Sequence, residues 1–363
     1  MQVIKDFRIK NEPYLHPNYL ETPTHFVILT TTQCNARCPY CYENGIKDKH
    51  DMSEQTAKDI VKYIVEHAHR NSPLGIEWFG GEPLTNTKVI DIITSGVRSA
   101  GFDVNAKMVS NGYLFNQDLI NRAAFFWNVR HVQITLDGYG EQYNKTKRYI
   151  YKDDPNPFAT VIQNIHNLLK TGIQVTIRLN CGLHNYKNLI ELIKYLSEEF
   201  KGEPGLSMYV WEIFTNSPRP EDSAEIYFDC LNQVDKAICE SGIVTPEYLE
   251  YGIKADHCIV DGGSGTVINT DGKLCLCEHY LEDDFYGDIY NHGNFDKQVF
   301  KNWRNYVNTY EGICIDCPNQ AGCLKMHKCT DQFVCTKPEQ KYMLDKIKRR
   351  MFKLWEQSLM PCN

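Results

Sequence analysis

At 363 residues and 42% hydrophobic content, the chain is long enough for two domains and has the composition of an ordinary globular protein. Its net charge of −7 comes without a basic run, which argues against a nucleic-acid backbone as the main partner, and no apolar run approaches the roughly 18 residues that cross a bilayer. With no charged-then-apolar leader at its start, the chain is expected in the cytoplasm, where its 15 cysteines fit metal or cluster ligation better than disulfides.

From about residue 25 to residue 212, short β-rich runs alternate with helical patterns, the mark of a parallel sheet with crossover helices. Strands are predicted at 26–29, 75–79, 104–109, 131–136, 173–179 and 206–211. After the first strand comes Thr31-Thr32-Gln33-Cys34-Asn35-Ala36-Arg37-Cys38-Pro39-Tyr40-Cys41-Tyr42. Three thiolates at CxxxCxxC spacing can hold a [4Fe–4S] cluster and leave its fourth iron open to an external ligand. Short cysteine spacings also serve zinc, but residues 43–49 offer neither the fourth Cys nor the His that usually closes such a site.

A helix follows with Ala57, Ile60, Val61, Ile64, Val65 and Ala68 on one face, and Asp51 with Glu54 reads as its capping box. The second strand runs into Trp78-Phe79-Gly80-Gly81-Glu82-Pro83, where two glycines permit close backbone approach to a ligand and the carboxylate can accept from an ammonium group. The third ends in Ser110-Asn111-Gly112, the fourth in Leu136-Asp137-Gly138, and the fifth in Arg178-Leu179-Asn180. Pro157 opens a helix whose buried face is Val161, Ile162, Ile165, Leu168 and Leu169. Six βα units suit a partly open TIM-type barrel, with its chemistry at the carboxyl ends of the strands. The expected organisation is an N-terminal extension over 1–20, the (βα)6 barrel over 21–215, a bridging helix over 216–245, a cysteine-rich domain over 246–337 and a last helix over 338–363. Within these, the bridging helix itself is predicted at 222–242 and the last one at 338–359.

The Cys34/Cys38/Cys41 triad and the Gly80-Gly81-Glu82 motif resemble the signatures of radical S-adenosylmethionine (SAM) enzymes. The tail, with Cys258, Gly272, Cys277, Cys314, Cys317, Cys323, Cys329 and Cys335, resembles the SPASM domain of peptide- and protein-modifying maturases. The resemblance implies a cluster on Cys34, Cys38 and Cys41, and a SAM site built from Tyr40, Gly80, Gly81, Glu82, Ser110, Asn111, Lys147, Arg178 and Asn180. Lys147 stands where related enzymes carry an arginine for the SAM carboxylate, and Lys145 or Arg148 are alternatives.

The resemblance also implies two auxiliary [4Fe–4S] clusters. One is on Cys258, Cys277 and Cys329, with Cys275 as a candidate fourth ligand; the other is on Cys314, Cys317, Cys323 and Cys335. Where the family pattern has a cysteine this chain has His327, so either Cys329 serves across a longer loop or His327 enters; we favour Cys329. Two zinc ribbons are the competing reading of the tail. Cys181, Cys230, Cys239 and Cys362 match nothing and read as buried or free thiols.

The chemistry implied is reductive cleavage of SAM to a 5′-deoxyadenosyl radical that abstracts hydrogen from a substrate. The expected product is a crosslink or an oxidised residue in a ribosomally made peptide. The alternative is anaerobic sulfatase maturation, Cys or Ser to formylglycine. Glu278, after Cys277, is the candidate base and suits either. Expected partners are the peptide or protein substrate and a flavodoxin- or ferredoxin-type electron donor. The 33 residues ahead of Cys34 are too few for a fused leader-binding domain, so a separate leader-binding protein or the barrel mouth would read a peptide; the tyrosine-rich stretch 139–151 is a candidate lining. An iron–sulfur protein without catalytic activity is a third reading, against which the complete set of motifs speaks.

Overall fold

The computed structural model describes residues 23–213, 221–243, 265–275, 277–278, 285–290, 294–296, 317 and 335–358. Alternating apolar runs and amphipathic helices give, in chain order, β1 (His25–Thr31), α1 (Glu54–His67), β2 (Leu74–Gly80), α2 (Thr87–Ser99), β3 (Val104–Ser110), α3 (Gln117–Asn121), β4 (Val129–Thr135), α4 (Glu141–Lys147) and α5 (Pro157–Lys170). There follow β5 (Gln174–Cys181), α6 (Tyr186–Glu199), β6 (Leu206–Glu212) and α7 (Glu221–Glu240). The tail contributes β7 (Gly265–Ile268), β8 (Lys273–Cys275), β9 (Phe285–Asp288), β10 (Asn294–Phe295) and α8 (Lys337–Ser358).

The six predicted strands are the six parallel strands β1 to β6, side by side in chain order. Most run a residue or two longer than predicted because pairing continues into polar positions; Thr31, for instance, still pairs with Gly80. β4 starts earlier than predicted, at Val129, which pairs with Ala106. The cap of α1 differs from the sequence reading. Ser53, in extended conformation, accepts from Thr56 N at 3.0 Å, while Asp51 accepts from Thr31 Oγ1 at 2.6 Å and Glu54 pairs with Lys88. Ser53 wins because the Ncap oxygen must reach an amide two or three residues on.

One face of the sheet carries the row Ile268, Ile28, Trp78, Met108, Val132, Val175 and Leu206, every member buried under the helices. Beyond β1 the sheet continues: β7 pairs with it in parallel, and β8, β9 and β10 follow antiparallel. The described strands of the tail thus extend the barrel sheet. The expected N-terminal extension, the boundary near residue 245 and most of the cysteine-rich domain lie outside the described residues. Among the described residues, no helix is long and apolar enough to cross a membrane.

At the other edge α8 packs on α7, with Phe228 and Tyr342 stacked at 5.7 Å. Buried Asp235 of α7 receives Arg349 Nη2 at 2.7 Å and Arg350 Nη2 at 3.4 Å. Burial alone would raise the Asp235 carboxyl, but the charges of Arg350, Lys346 and Arg349 outweigh it and hold the group below its ordinary value of 3.8. Its stabilisation is complete above that value and fades as pH falls through the lower folded one. Asp235→Ala, which removes the buried carboxylate that Arg349 and Arg350 share, is expected to cost about 3–5 kcal/mol in chemical unfolding at neutral pH. Below the folded pKa of Asp235 the gap to wild type is expected to narrow.

Candidate active site

The loop between β1 and α1 has almost no regular structure, so its backbone bonds are made elsewhere. Its ends are zipped together: Thr32 N donates to His50 O at 3.0 Å, His50 N to Thr32 Oγ1 at 2.8 Å, and Met52 N to Thr30 O at 3.0 Å. Its middle is held by the segment after β4, through Arg37 N to Lys147 O at 2.8 Å and Ile150 N to Asn35 O at 2.9 Å. Cys34, Cys38 and Cys41 lie half-buried on it as free thiols. Burial first, and the Glu82 carboxylate second, push the Cys34 thiol up to about 12, and burial also raises Cys38 and Cys41.

Such thiols become thiolates only when a cationic centre replaces their protons. Among the described residues, no three His, Cys, Asp or Glu groups converge on the position of one metal ion. A multi-iron cluster, in which each thiolate takes its own iron, fits this donor set. Beside Cys34 the Asn35 Nδ2 is buried without a partner, a donor left for a ligand.

The Gly80-Gly81-Glu82 turn leans on this loop. A Cβ at Gly80, where φ is 125°, would collide with the Thr31 carbonyl, and one at Gly81 with the Gln33 carbonyl. Gly81 N donates to Thr31 O at 3.1 Å and Glu82 N to Gln33 O at 2.9 Å. The close approach needed here is to the chain itself, just ahead of Cys34. Buried Glu82 accepts from Leu84 N, Ser110 Oγ and Asn111 N at 2.8–3.2 Å. Burial pushes it up to about 7 against those donors and the Lys147 charge. Ser110 and Asn111 therefore join the ends of β2 and β3. Asn111 Nδ2 then reaches Asn35 Oδ1 at 2.6 Å and Cys34 Sγ at 3.9 Å.

A second centre forms on Asp137, which enters the sequence reading only as part of the Leu136-Asp137-Gly138 strand end. It is fully buried after β4. Lys147 Nζ lies 2.7 Å from its Oδ2, the Tyr40 hydroxyl donates to the same oxygen, and Asn180 N approaches Oδ1 at 3.4 Å. Burial alone would lower Lys147, but Asp137 outweighs it and the ammonium is held well above its ordinary value. Lys145 and Arg148 are exposed, and Lys145 pairs with Glu141 at 2.8 Å, so Lys147 alone of the three basic candidates is inside. Arg178 Nε donates to Asn180 Oδ1 at 2.9 Å.

From β2 to β6 the inner face of the sheet is polar, while at β1 and β7 it carries the apolar Val27, Leu29 and Val267. Glu77, Lys107, His131, Gln133, Thr176, Ser207 and Tyr209 stand on it, with His131 Nε2 to Thr176 Oγ1 at 2.7 Å, Thr176 to Ser207 at 2.7 Å and Tyr209 OH to Gln133 at 2.8 Å. A parallel sheet covered on both faces is apolar throughout. Here the polar rows are left mostly half-exposed. Burial first, then the Lys107 charge, lowers His131 to about 4.

The tail reaches the same mouth. His50 Nε2 meets Asp271 Oδ1 at 2.9 Å, and the Tyr42 hydroxyl, raised by burial and then Glu43, also feels the Glu278 carboxylate and Arg178. Cys277 Sγ lies 3.6 Å from Glu278 Oε2. Cys275 is fully buried among Val27, Leu29 and Val267, and Cys317 and Cys335 are half-buried. Cys258, Cys314, Cys323, His327, Cys329 and Cys362 lie outside the described residues. Cys181, Cys230 and Cys239 are buried and form no disulfide.

Gly81→Ala, whose methyl meets backbone, is expected to lose about 1–3 kcal/mol of stability and most of the iron of the triad, read by unfolding and by metal analysis. His131 stays neutral in the folded state while the unfolded chain takes up a proton. Its contribution is therefore whole above pH 6.5 and lost as pH falls towards about 4. His131→Gln is expected to soften the loss of stability over that window, measured by urea unfolding at stepped pH.

Comparison with known proteins adds the family. Residues 28–196 match the model of the radical SAM superfamily. An uncharacterized protein of Methanocaldococcus jannaschii is 26% identical over 259 residues, 70% of this chain and 84% of that protein. The radical SAM cyclopropyl synthase TigE of Paramaledivibacter caminithermalis is 28% identical over 102 residues, 24% of this chain and 22% of TigE. Native anSMEcpe with bound AdoMet and Cp18Cys peptide shares the fold at a TM-score of 0.70 and 15% identity, over 92% of this chain and 98% of that one. Streptococcus suis SuiB bound to precursor peptide SuiA does so at 0.59 and 13%, over 89% and 75%. Residues 28–196 of the chain thus carry a radical SAM domain.

Proposed function

We propose that this enzyme modifies a ribosomally made peptide, leaving a crosslink or an oxidised residue. The observation that carries the reading is the seating of the cysteine-bearing tail on the barrel. β7 pairs with β1, β8 brings up Cys275 and the segment of Cys277, and Glu278 acts on Tyr42 beside Cys41. The triad loop and a second cysteine-bearing element thus lie on neighbouring strands, which suits a substrate chain held between them. In the solved relatives anSMEcpe holds a Cp18Cys peptide and SuiB its precursor peptide SuiA, and we extend peptide binding to this chain.

Cys34, Cys38 and Cys41 are assigned to the [4Fe–4S] cluster. When bound, cluster and SAM supply one-electron chemistry that takes hydrogen from an unactivated carbon. The chain's own part is to orient and to exclude water. Glu82, Ser110 and Asn111 lock one side of the SAM site, and Tyr40, Lys147 and Asn180 converge on Asp137 at the other, with Arg178 beside them. Lys147, held charged by Asp137, is the cation for the SAM carboxylate. Glu278 is the base facing the substrate.

The tail cysteines are assigned to two auxiliary clusters, on Cys258, Cys277 and Cys329 and on Cys314, Cys317, Cys323 and Cys335. The apolar packing of Cys275 favours leaving it out of the first, with an iron open to substrate. A flavodoxin- or ferredoxin-type donor and a separate leader-binding protein complete the reading. Formylglycine formation in a sulfatase is the second reading, favoured by the overlay on 98% of the anSMEcpe chain.

Iron and sulfide analysis of the Cys34/Cys38/Cys41→Ala variant after anaerobic reconstitution tests the tail. About eight irons per chain are expected from two four-iron clusters, whereas zinc in their place overturns the assignment. With the wild type, conversion of a cysteine-bearing sulfatase peptide to formylglycine, read by mass spectrometry, would select the second reading.

A further inference from the structure

The chain has 22 tyrosines, and four of them form one continuous column beside the site. Tyr143 is fully buried, and its hydroxyl lies 2.8 Å from that of Tyr149, itself 4% exposed. The Tyr149 hydroxyl also lies 3.3 Å from Asn111 O, and a carbonyl only accepts. Tyr149 therefore donates to Asn111, and Tyr143 donates into Tyr149. The ring of Tyr149 stacks on Tyr113 at 4.4 Å and 28°, and Tyr113 stacks on Tyr151 at 5.4 Å and 11°. Tyr113 donates to the Asp154 carboxylate, and Tyr151 is 41% exposed.

The inner end of the column abuts the site at two points. Asn111 bonds Asn35 in the triad loop, and Lys147 Nζ lies 5.8 Å from the Tyr143 ring. Packing alone explains buried aromatics. It does not call for hydroxyls joined in series, a carboxylate to take the next phenolic proton, and stacked rings running out to solvent.

We propose that Tyr143, Tyr149, Tyr113 and Tyr151 carry an oxidising equivalent from the barrel mouth to the surface, quenching a radical that has missed its substrate before it damages the loop. The inference rests on the radical chemistry of the family. A carbon-centred radical at the mouth takes the Tyr149 hydroxyl hydrogen, so that a C–H bond forms and an O–H bond breaks. The phenoxyl of Tyr149 takes an electron from Tyr113 and a proton from solvent, while the Tyr113 proton passes to Asp154. Tyr151 then gives Tyr113 an electron, Asp154 returns the proton to Tyr113, and the Tyr151 proton leaves to solvent. A small thiol in solution restores Tyr151, its S–H bond breaking as the O–H bond reforms, and two thiyl radicals couple to a disulfide. Tyr143, hydrogen-bonded to Tyr149, shares the oxidation at the inner end.

Two measurements test this on the reconstituted protein. A flash-generated ruthenium oxidant makes tyrosyl radicals at the surface without SAM or turnover. Their paramagnetic resonance signal is expected to persist several-fold longer in the wild type than in Tyr113→Phe, where a radical at Tyr151 has no column to enter. Equal lifetimes, with both proteins folded by circular dichroism, overturn the proposal. In the second, SAM and reductant are supplied without peptide, and a spin trap is located by mass spectrometry. Adduct on Tyr151, per 5′-deoxyadenosine released, is expected to fall several-fold in Tyr113→Phe, and an unchanged ratio counts against the column. Absence of 5′-deoxyadenosine would instead count against the proposed function, and the flash lifetime would still decide the column.

Discussion

Three sulfurs on an irregular loop stay in place only if the backbone around them finds its hydrogen bonds elsewhere, and the site depends on how that demand is met. The loop is gripped at its neck by Thr30, Thr32, His50 and Met52, from below by the Gly81 and Glu82 amides, and along its middle by Lys147 and Ile150. Each grip comes from a different part of the chain. The two glycines matter because a side chain at either position would push the β2 turn off the Thr31–Gln33 backbone.

The buried charges extend the same logic. Glu82 and Asp137 are both fully buried, and each is compensated differently. Glu82 takes its hydrogen bonds from neutral donors and burial pushes it up to about 7, whereas Asp137 has the Lys147 ammonium at 2.7 Å. Through Tyr40 and the Lys147 carbonyl the Asp137 pair also grips the triad loop, so charge and loop position are coupled.

The sheet then decides where a substrate can go. Its outer row is apolar and covered by helices, its inner rows are polar and mostly half-exposed from β2 to β6, and the tail adds strands at the β1 edge, where the inner face turns apolar. The α7–α8 pair, tied through Asp235, packs at the opposite edge. The tail meets the triad loop through His50 and Asp271 and through Tyr42 and Glu278.

Much of this was legible in the sequence. The six strands, the faces of α1 and α5, the cysteine spacing and the glycine motif are patterns within a few residues, and local geometry follows from local order. By itself the sequence determined the α/β class, the order of the elements and the residues able to carry the chemistry, because periodicity and spacing are properties of neighbours. Only the tertiary structure decided that Asp137 holds Lys147, that Gly81 faces Gln33, that Ser53 and not Asp51 caps α1, that β7 joins β1, and that four tyrosines fall into line. Most of these are contacts between residues far apart in the chain, and the α1 cap turns on the freedom of Asp51 to bond Thr31 instead. Nothing in local order says which distant partner a buried charge, a close backbone approach or a stacked ring will find.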